Sequence, residues 1–301
     1  MKKVIIKIIL ILFILFIIDS LFGYLCKELT QNSIGGDTAK YKYISQDCND
    51  EILIMGSSRC NHHYIPSIIE DSLNKTCYNC GIDGNGIITM YGLLNVISEY
   101  NTPDIIIYDI TTSLDLDKND NLKYLGRLKQ YYDKEGIKPI FKKIDKVETY
   151  KMYSSMYQYN SKLLQLISDN LKPTQENDKG YKPLYGCMDY EPKENSNTTF
   201  EYDSVKLNFI KLFIEKCNNK SQLIFTTSPY YLPGNDSVYK PIREMCEKYK
   251  IPFLEHHKDT LFSNKKNYFK DSVHLNHEGA QIFTNIIIEE ISKMLPNSNN
   301  K

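Results

Sequence analysis

The sequence predicts a three-layer α/β/α domain on a five-stranded parallel sheet, preceded by an N-terminal transmembrane helix. Three observations predict the sheet. Short apolar runs of three to four residues stop abruptly, as strands buried on both faces do. Stretches of helical apolar spacing separate them, which gives the β-α-β order of a parallel sheet with helices on its faces. Glycine- or serine-rich turns follow several of the runs.

The elements follow in chain order. Lys2, Lys3 and Lys7 precede an unbroken apolar run from Ile8 to Ile18, and Leu21 to Leu25 prolong it past Asp19 and Ser20. Counted from Val4 to Leu25, this is long enough to span a bilayer, which takes about 20 residues. The lysines favour a cytoplasmic N-terminus with the rest of the chain outside. A cleaved signal peptide shares these features but needs small residues before the cut, and only Gly23 qualifies. Residues 1–25 are therefore expected to be an anchor and 26–50 a linker.

An α/β domain is expected over 51–295. Its first strand is Ile52-Leu53-Ile54-Met55, followed by a helix from Tyr64 to Leu73 with Pro66 in its first turn. Cys77-Tyr78-Asn79 is the second strand, Ile87–Tyr100 a helix and Ile105-Ile106-Ile107-Tyr108 the third strand. Residues 116–203, rich in Lys, Asp, Asn and Tyr, read as a mostly helical insertion, a candidate cap over the active-site end of the sheet. The α/β pattern resumes with a helix at Ser204–Cys217 and a strand at Leu223-Ile224-Phe225. A helix at Val238–Tyr249, a strand at Pro252-Phe253-Leu254 and a closing helix at about Glu278–Leu295 complete it, and 296–301 form a polar tail.

Composition excludes some classes. Lys+Arg and Asp+Glu are 37 each, and no long basic run follows the first few residues, so nucleic acid has little electrostatic reason to bind. The eight cysteines show no disulfide framework, and Cys77-x-x-Cys80 stands alone, so buried thiols are the expectation for most of them. No His/Asp/Glu set has metal-ligand spacing, and neither metal nor cofactor is expected.

Two short segments carry chemistry. Gly56-Ser57-Ser58-Arg59 follows the first strand directly. Ligands of open α/β sheets bind beyond the carboxyl ends of strands, and a serine in that turn offers both a hydroxyl and a nearby backbone N–H. Asp271-Ser272-Val273-His274 precedes the last helix. A carboxylate three residues before a histidine can reach the ring Nδ1–H and leave Nε2 free as a base. Taken alone, the first segment reads sooner as a turn with a helix cap and the second as a surface helix-entry loop with Asn276 as the cap. Together they stand out: one follows the first strand and the other precedes the last helix, with the other proposed strands between them. Arg59 and Asn85 are candidate substrate contacts. His62 and His63 are expected to face solvent at a helix start, His256 and His257 to lie in loops, and His277 to cap or face solvent.

With these residues the chain resembles the SGNH/GDSL hydrolase superfamily, in the manner of its membrane-anchored branch acting on envelope polysaccharides. That family places its serine in a G-x-S turn after strand one and its Asp and His in a D-x-x-H loop before the last helix. Gly56-Ser57-Ser58 and Asp271…His274-Leu275-Asn276 match both blocks, and Asn79-Cys80-Gly81-Ile82-Asp83-Gly84 resembles the stretch after strand two. The resemblance covers roughly 51–115 and 204–295. It implies that Ser58, His274 and Asp271 form a triad and that the N–H groups of Ser58 and Gly84 hold the oxyanion. The family's asparagine after strand three has no counterpart in Asp109–Asp115, where Ser113 lies near the expected position. The activity implied is acyl-ester hydrolysis or O-acyl transfer on an envelope glycan or another acyl ester, with a membrane acyl-donor protein as a possible partner. The missing asparagine keeps a second reading open, a non-catalytic envelope protein of the same fold that binds glycan.

Overall fold

The computed structural model describes residues 1–173, 178–192 and 200–295, so the tail at 296–301 and parts of the expected insertion lie outside the described residues. In chain order the helices and strands are α1 (Lys2–Asn32), α2 (Gly36–Gln46), β1 (Ile52–Gly56), α3 (Ser58–His63), α4 (Pro66–Leu73), β2 (Cys77–Asn79), α5 (Ile87–Ile97), β3 (Ile105–Asp109) and α6 (Thr112–Asp115). There follow α7 (Lys138–Ile144), α8 (Lys146–Lys151), α9 (Ser155–Tyr159), α10 (Leu163–Leu171), α11 (Ser204–Cys217), β4 (Gln222–Thr227), α12 (Lys240–Tyr249), β5 (Phe253–Glu255) and α13 (His277–Met294). The described residues form two compact units, one of residues 1–47 with 121–173, the other of 48–120 with 178–192 and 200–295.

The larger unit is the expected α/β/α sandwich. Its five strands are all parallel, in the order β2-β1-β3-β4-β5. Alternate side chains along each strand serve opposite layers. Ile52, Ile54, Ile105, Ile107 and Ile224 pack with Phe283, Ile287 and Ile291 of α13 and Ile69 of α4. On the other face Tyr108 meets Phe213 of α11, ring centroids 5.1 Å apart. Burial on both sides explains why the strands read as unbroken apolar runs.

The smaller unit holds α1, α2 and α7–α10. The residues expected as a linker, 26–50, carry the end of α1 and the whole of α2. Cys26 of α1 is buried against Tyr159 of α9 and Leu166 of α10. The expected insertion thus divides: 121–173 cluster with the N-terminal helices, while 178–192 belong to the α/β unit. The continuous helical spacing of Tyr150–Leu171 is broken into α9 and α10. Ser154 caps α9 by accepting from Tyr157 N, a local bond that starts a new helix. The long N-terminal helix is apolar enough to cross a membrane, which fits an anchor or a signal sequence. All eight cysteines are free thiols, and seven are buried.

Candidate active site

The strand order sets the position of the site. From β1 the chain steps outward to β2, then returns across β1 to β3, so the carboxyl ends of β1 and β3 flank the topological switch point where ligands of open α/β sheets bind. Gly56 ends β1 with φ +150°, and a Cβ there would stand 2.9 Å from the Asp109 carbonyl and from Cys60. Glycine alone allows the chain to turn this tightly from strand into helix. Ser57 then caps α3, its Oγ accepting from Arg59 N and hydrogen-bonded to Thr111 Oγ1 at 2.7 Å. Ser58 becomes the first residue of α3 and stays partly accessible.

The loop before α13 comes to meet it. Phe269 and Leu275 pair across its base, and Lys270 N donates to His274 O. Asn276 caps α13 by accepting from Gly279 N at 2.9 Å, while its Nδ2 donates to the Asn267 and Gly186 carbonyls. The cap reading of Asn276 and the chemical reading of the loop therefore hold together. At the tip, Asp271 accepts from the backbone N–H groups of Val273 and His274, both at 2.9 Å, and from His274 Nδ1 at 2.8 Å. Burial would raise the Asp271 pKa, but the His274 bond and these N–H groups outweigh it and hold the carboxyl below its ordinary range. His274 Nε2 lies 2.8 Å from Ser58 Oγ. The geometry thus forms one relay from carboxylate to imidazole to hydroxyl.

Two of the expected oxyanion donors, Gly84 and Ser113, lie at the surface. The 80–85 loop is tied to the end of β1, with Cys80 N donating to Ile54 O and Ile82 N to Gly56 O. Gly84 in that loop is exposed with φ +69°, and a Cβ there would meet nothing within 4 Å. Backbone conformation, not crowding, is what calls for glycine. Ser113 lies exposed on the four-residue α6, and among the described residues no hydrogen bond ties its hydroxyl to the relay.

The two candidate substrate contacts are spent on structure. The Asn85 amide donates to Asp83 O and accepts from Thr89 Oγ1. Arg59 is only 1 % exposed. Its Nε donates to Ser228 Oγ, its Nη2 to the Ser228 and Pro229 carbonyls, and its guanidinium lies 3.4 Å from the centroid of the Tyr230 ring. The first turn of α3 points this side chain beneath the helix toward the end of β4, away from solvent.

His62 and His63, expected to face solvent, are buried. The reason lies far along the chain, at Lys182 for His62 and at Ser228 and Leu275 for His63. Lys182 N donates to Asn61 O, and His62 Nδ1 donates to Lys182 O at 2.6 Å while Nε2 faces Asp83 at 3.3 Å. His63 takes part in a network that sequence reasoning missed. Leu275 N–H, beside His274, donates to His63 Nε2 at 2.9 Å, so the ring proton sits on Nδ1 and donates to Ser228 Oγ at 2.9 Å. Ser228 Oγ also accepts from Arg59 and donates to Asp109 at 2.6 Å, which uses its one donor and two acceptor sites. Burial, then the Arg59 charge, holds the His63 pKa well below its ordinary value and the ring neutral. The signal in the sequence was the polar residue at the end of two buried strands, Asp109 as the last residue of β3 and Ser228 just after β4.

The other histidines also have partners. His256 and His257 are buried, with Nε2 3.0 Å from Glu290 and 2.9 Å from Asp236 respectively. His277 pairs with the Tyr181 hydroxyl. Asp236, Glu255 and His257 lie within metal-binding distance of one another. Arg243 and Lys258 already neutralise that cluster.

Fold and site together define an α/β/α protein with a Ser–His–Asp relay at the switch point of its sheet. No protein-family model matches the chain, and no curated protein matches it. Among solved structures it is similar to a Streptococcus pneumonia protein provisionally named a platelet activating factor, at 12% identity and TM-score 0.42, over 91% of this chain and 97% of that one. It is also similar to a gut microbial diltiazem-metabolizing enzyme, at 13% identity and TM-score 0.37, over 80% and 46% of the two chains. A third is a two-domain esterase active on acetylated mannans, at 10% identity and TM-score 0.39, over 90% and 58%. The chain spans about half the length of the latter two.

Proposed function

We propose that this chain is a membrane-anchored serine enzyme that hydrolyses or transfers acyl esters, of the SGNH/GDSL type. The observation that carries this reading is the unbroken relay from Asp271 through His274 to an accessible Ser58. His274 Nε2 takes the Ser58 proton as Oγ attacks an ester carbonyl, and Asp271 steadies the imidazolium. The N–H groups of Ser58 and Gly84 are the proposed oxyanion donors, with Ser113 a third candidate. The leaving alcohol departs with the proton from His274, and water or a sugar hydroxyl resolves the acyl-enzyme. The proposed substrate is an acylated envelope glycan or another acyl ester. The N-terminal lysines support a cytoplasmic N-terminus and an external enzyme. In the transferase form the acyl group would come from a membrane acyl-donor protein.

A fluorophosphonate probe on the full-length protein tests the chemistry. The expected result is one label on Ser58 and none on Ser58→Ala. A wild-type protein that stays unlabelled, or a Ser58→Ala variant that labels equally, overturns the enzyme reading and leaves the glycan-binding one. Acetate release from p-nitrophenyl acetate, with and without an oligosaccharide acceptor, separates hydrolysis from transfer.

A further inference from the structure

The smaller helical unit is built on α1 in a fixed order. Asp19 accepts from Ser154 Oγ at 2.7 Å, Ser155 N at 2.7 Å and Met156 N at 2.8 Å, so it caps α9. A Cβ on Gly23 would stand 2.4 Å from Ser155 Oγ, so the two helices touch there. Cys26 packs on Tyr159 and Leu166, the Leu29 carbonyl accepts from Asn170, and Thr38 donates to Asp169. Partners climb from 154 to 170 as the chain climbs from 19 to 38. The edge of the unit nearest the apolar end of α1 is therefore the stretch around 150–156.

The apolar side chains from Val4 to Ile18 are 41–68 % exposed. These fifteen residues cover about 22 Å at 1.5 Å per residue, short of a hydrocarbon core of about 30 Å. A span of about 20 residues from Val4 ends at Gly23, level with Ser155. Leu21, Tyr24 and Leu25 are likewise exposed. A bilayer that covers α1 must then reach the edge of α8 and α9 as well. That edge is built for it. Tyr150 and Tyr153 are 72 % and 88 % exposed, and with Tyr132, Lys138 and Lys142 they line an open groove. Tyrosine and lysine at headgroup depth anchor a protein in the interface, the ring sitting among headgroups and the amine meeting lipid phosphate.

We infer that the Tyr150–Tyr153 edge of the helical unit, with its Tyr132, Lys138 and Lys142 groove, is a second contact with the bilayer, seated among the lipid headgroups beside α1. The inference rests on the reading of α1 as a retained anchor. The chain contains no tryptophan, so Tyr153→Trp introduces a single indole that can be excited apart from the tyrosines. The full-length variant is placed in vesicles of phosphatidylcholine and phosphatidylglycerol, with Tyr202→Trp in the α/β unit as the reference. The expected result for Tyr153→Trp is blue-shifted emission and quenching by brominated lipid several-fold stronger than for Tyr202→Trp. Quenching by aqueous iodide equal to that of Tyr202→Trp, with none from brominated lipid, overturns the inference. Tyr150→Trp repeats the measurement should Tyr153→Trp fold poorly. An alkaline wash separates the two levels: a chain released by the wash refutes the anchor, whereas a retained chain with a water-quenched fluorophore refutes only the headgroup contact.

Discussion

At the scale of single residues, His63 and Asp271 hold His274 from two sides. Asp271 fixes the ring through Nδ1, and His63 fixes the backbone one residue on through Leu275 N. Asp271→Asn would present an amide to Nδ1 and favour the wrong tautomer. Loss of the analogous carboxylate costs about 10⁴ in kcat, and a fall of that order is expected here with KM little changed. For His63, two replacements separate its two bonds. Gln can set its Oε1 near the place of Nε2 and keep the acceptor for Leu275 N, whereas Asn keeps only the donor toward Ser228. His63→Asn is expected to lower kcat about tenfold or more, the cost of about 1.4 kcal/mol in the barrier, and His63→Gln to recover most of it. Equal kcat in both variants would make the histidine a packing residue only. The pH sign for Asp271 follows from its depressed pKa: its contribution to stability is complete above the unfolded value near 4 and is lost as pH falls through the lower folded value.

At the scale of elements, Asp115 shows how one buried carboxylate joins several. Its Oδ1 accepts from Ile87 N, at the start of α5, and from the Tyr108 hydroxyl, while Oδ2 accepts from Thr111 N at 2.6 Å. Gly86 precedes α5 and offers no side chain, so Asp115 caps the helix from a distance. Burial pushes its pKa up to about 6, although these bonds pull the other way. The folded state therefore holds the proton more tightly than the unfolded chain, and stability contributed by this group falls as pH rises from about 4 to about 6. Relative to Asp115→Asn, the wild type is expected to lose on the order of 3 kcal/mol across that window, followed by urea unfolding at each pH. The Asn variant itself sets an amide N–H against Thr111 N and is expected to be less stable at pH 4 by about 1–3 kcal/mol.

The elements also show what was legible in the sequence. The central strands β1, β3 and β4 were readable because burial on both faces leaves an unbroken apolar run, and Ser204–Cys217 because Phe209/Phe213 and Ile210/Ile214 recur at helical spacing and are buried. Ser58, Asp271 and His274 stood out by their positions in chain order, after the first strand and before the last helix. The burial of His62 and His63 was not legible, because the residues that cover them lie more than 100 positions away. Arg59 read as a candidate substrate contact because only the length and direction of α3 turn it inward. The division of 116–203 between two units depends on contacts with α1 and α2, which no local pattern records.

At the scale of the whole molecule, α1 belongs to two environments. Its first half exposes apolar side chains, and its last third is the core of the helical unit. Removal of residues 1–18 is expected to leave that core intact, whereas removal of 1–32 takes away Phe22, Cys26 and Leu29 and exposes Tyr159 and Leu166. The shorter deletion should keep residues 121–173 resistant to trypsin, and the longer one should open them to rapid cleavage. Fluorophosphonate labelling at Ser58 is expected to survive both, because the sheet packs on a separate core.

The stretch from Asp178 to Leu184 serves two purposes at once. Lys179 O accepts from Asn79 N on the outer side of β2, and Gly180 fits so closely that a Cβ would stand 2.2 Å from Asn79 O. The same stretch meets His62 through Lys182 and His277 through Leu184. An uncovered edge strand is a template for another chain to add to. Any change at these few positions that shifts the backbone therefore risks both uncovering β2 and releasing His62, so the solubility of the protein and the burial of that histidine are expected to change together.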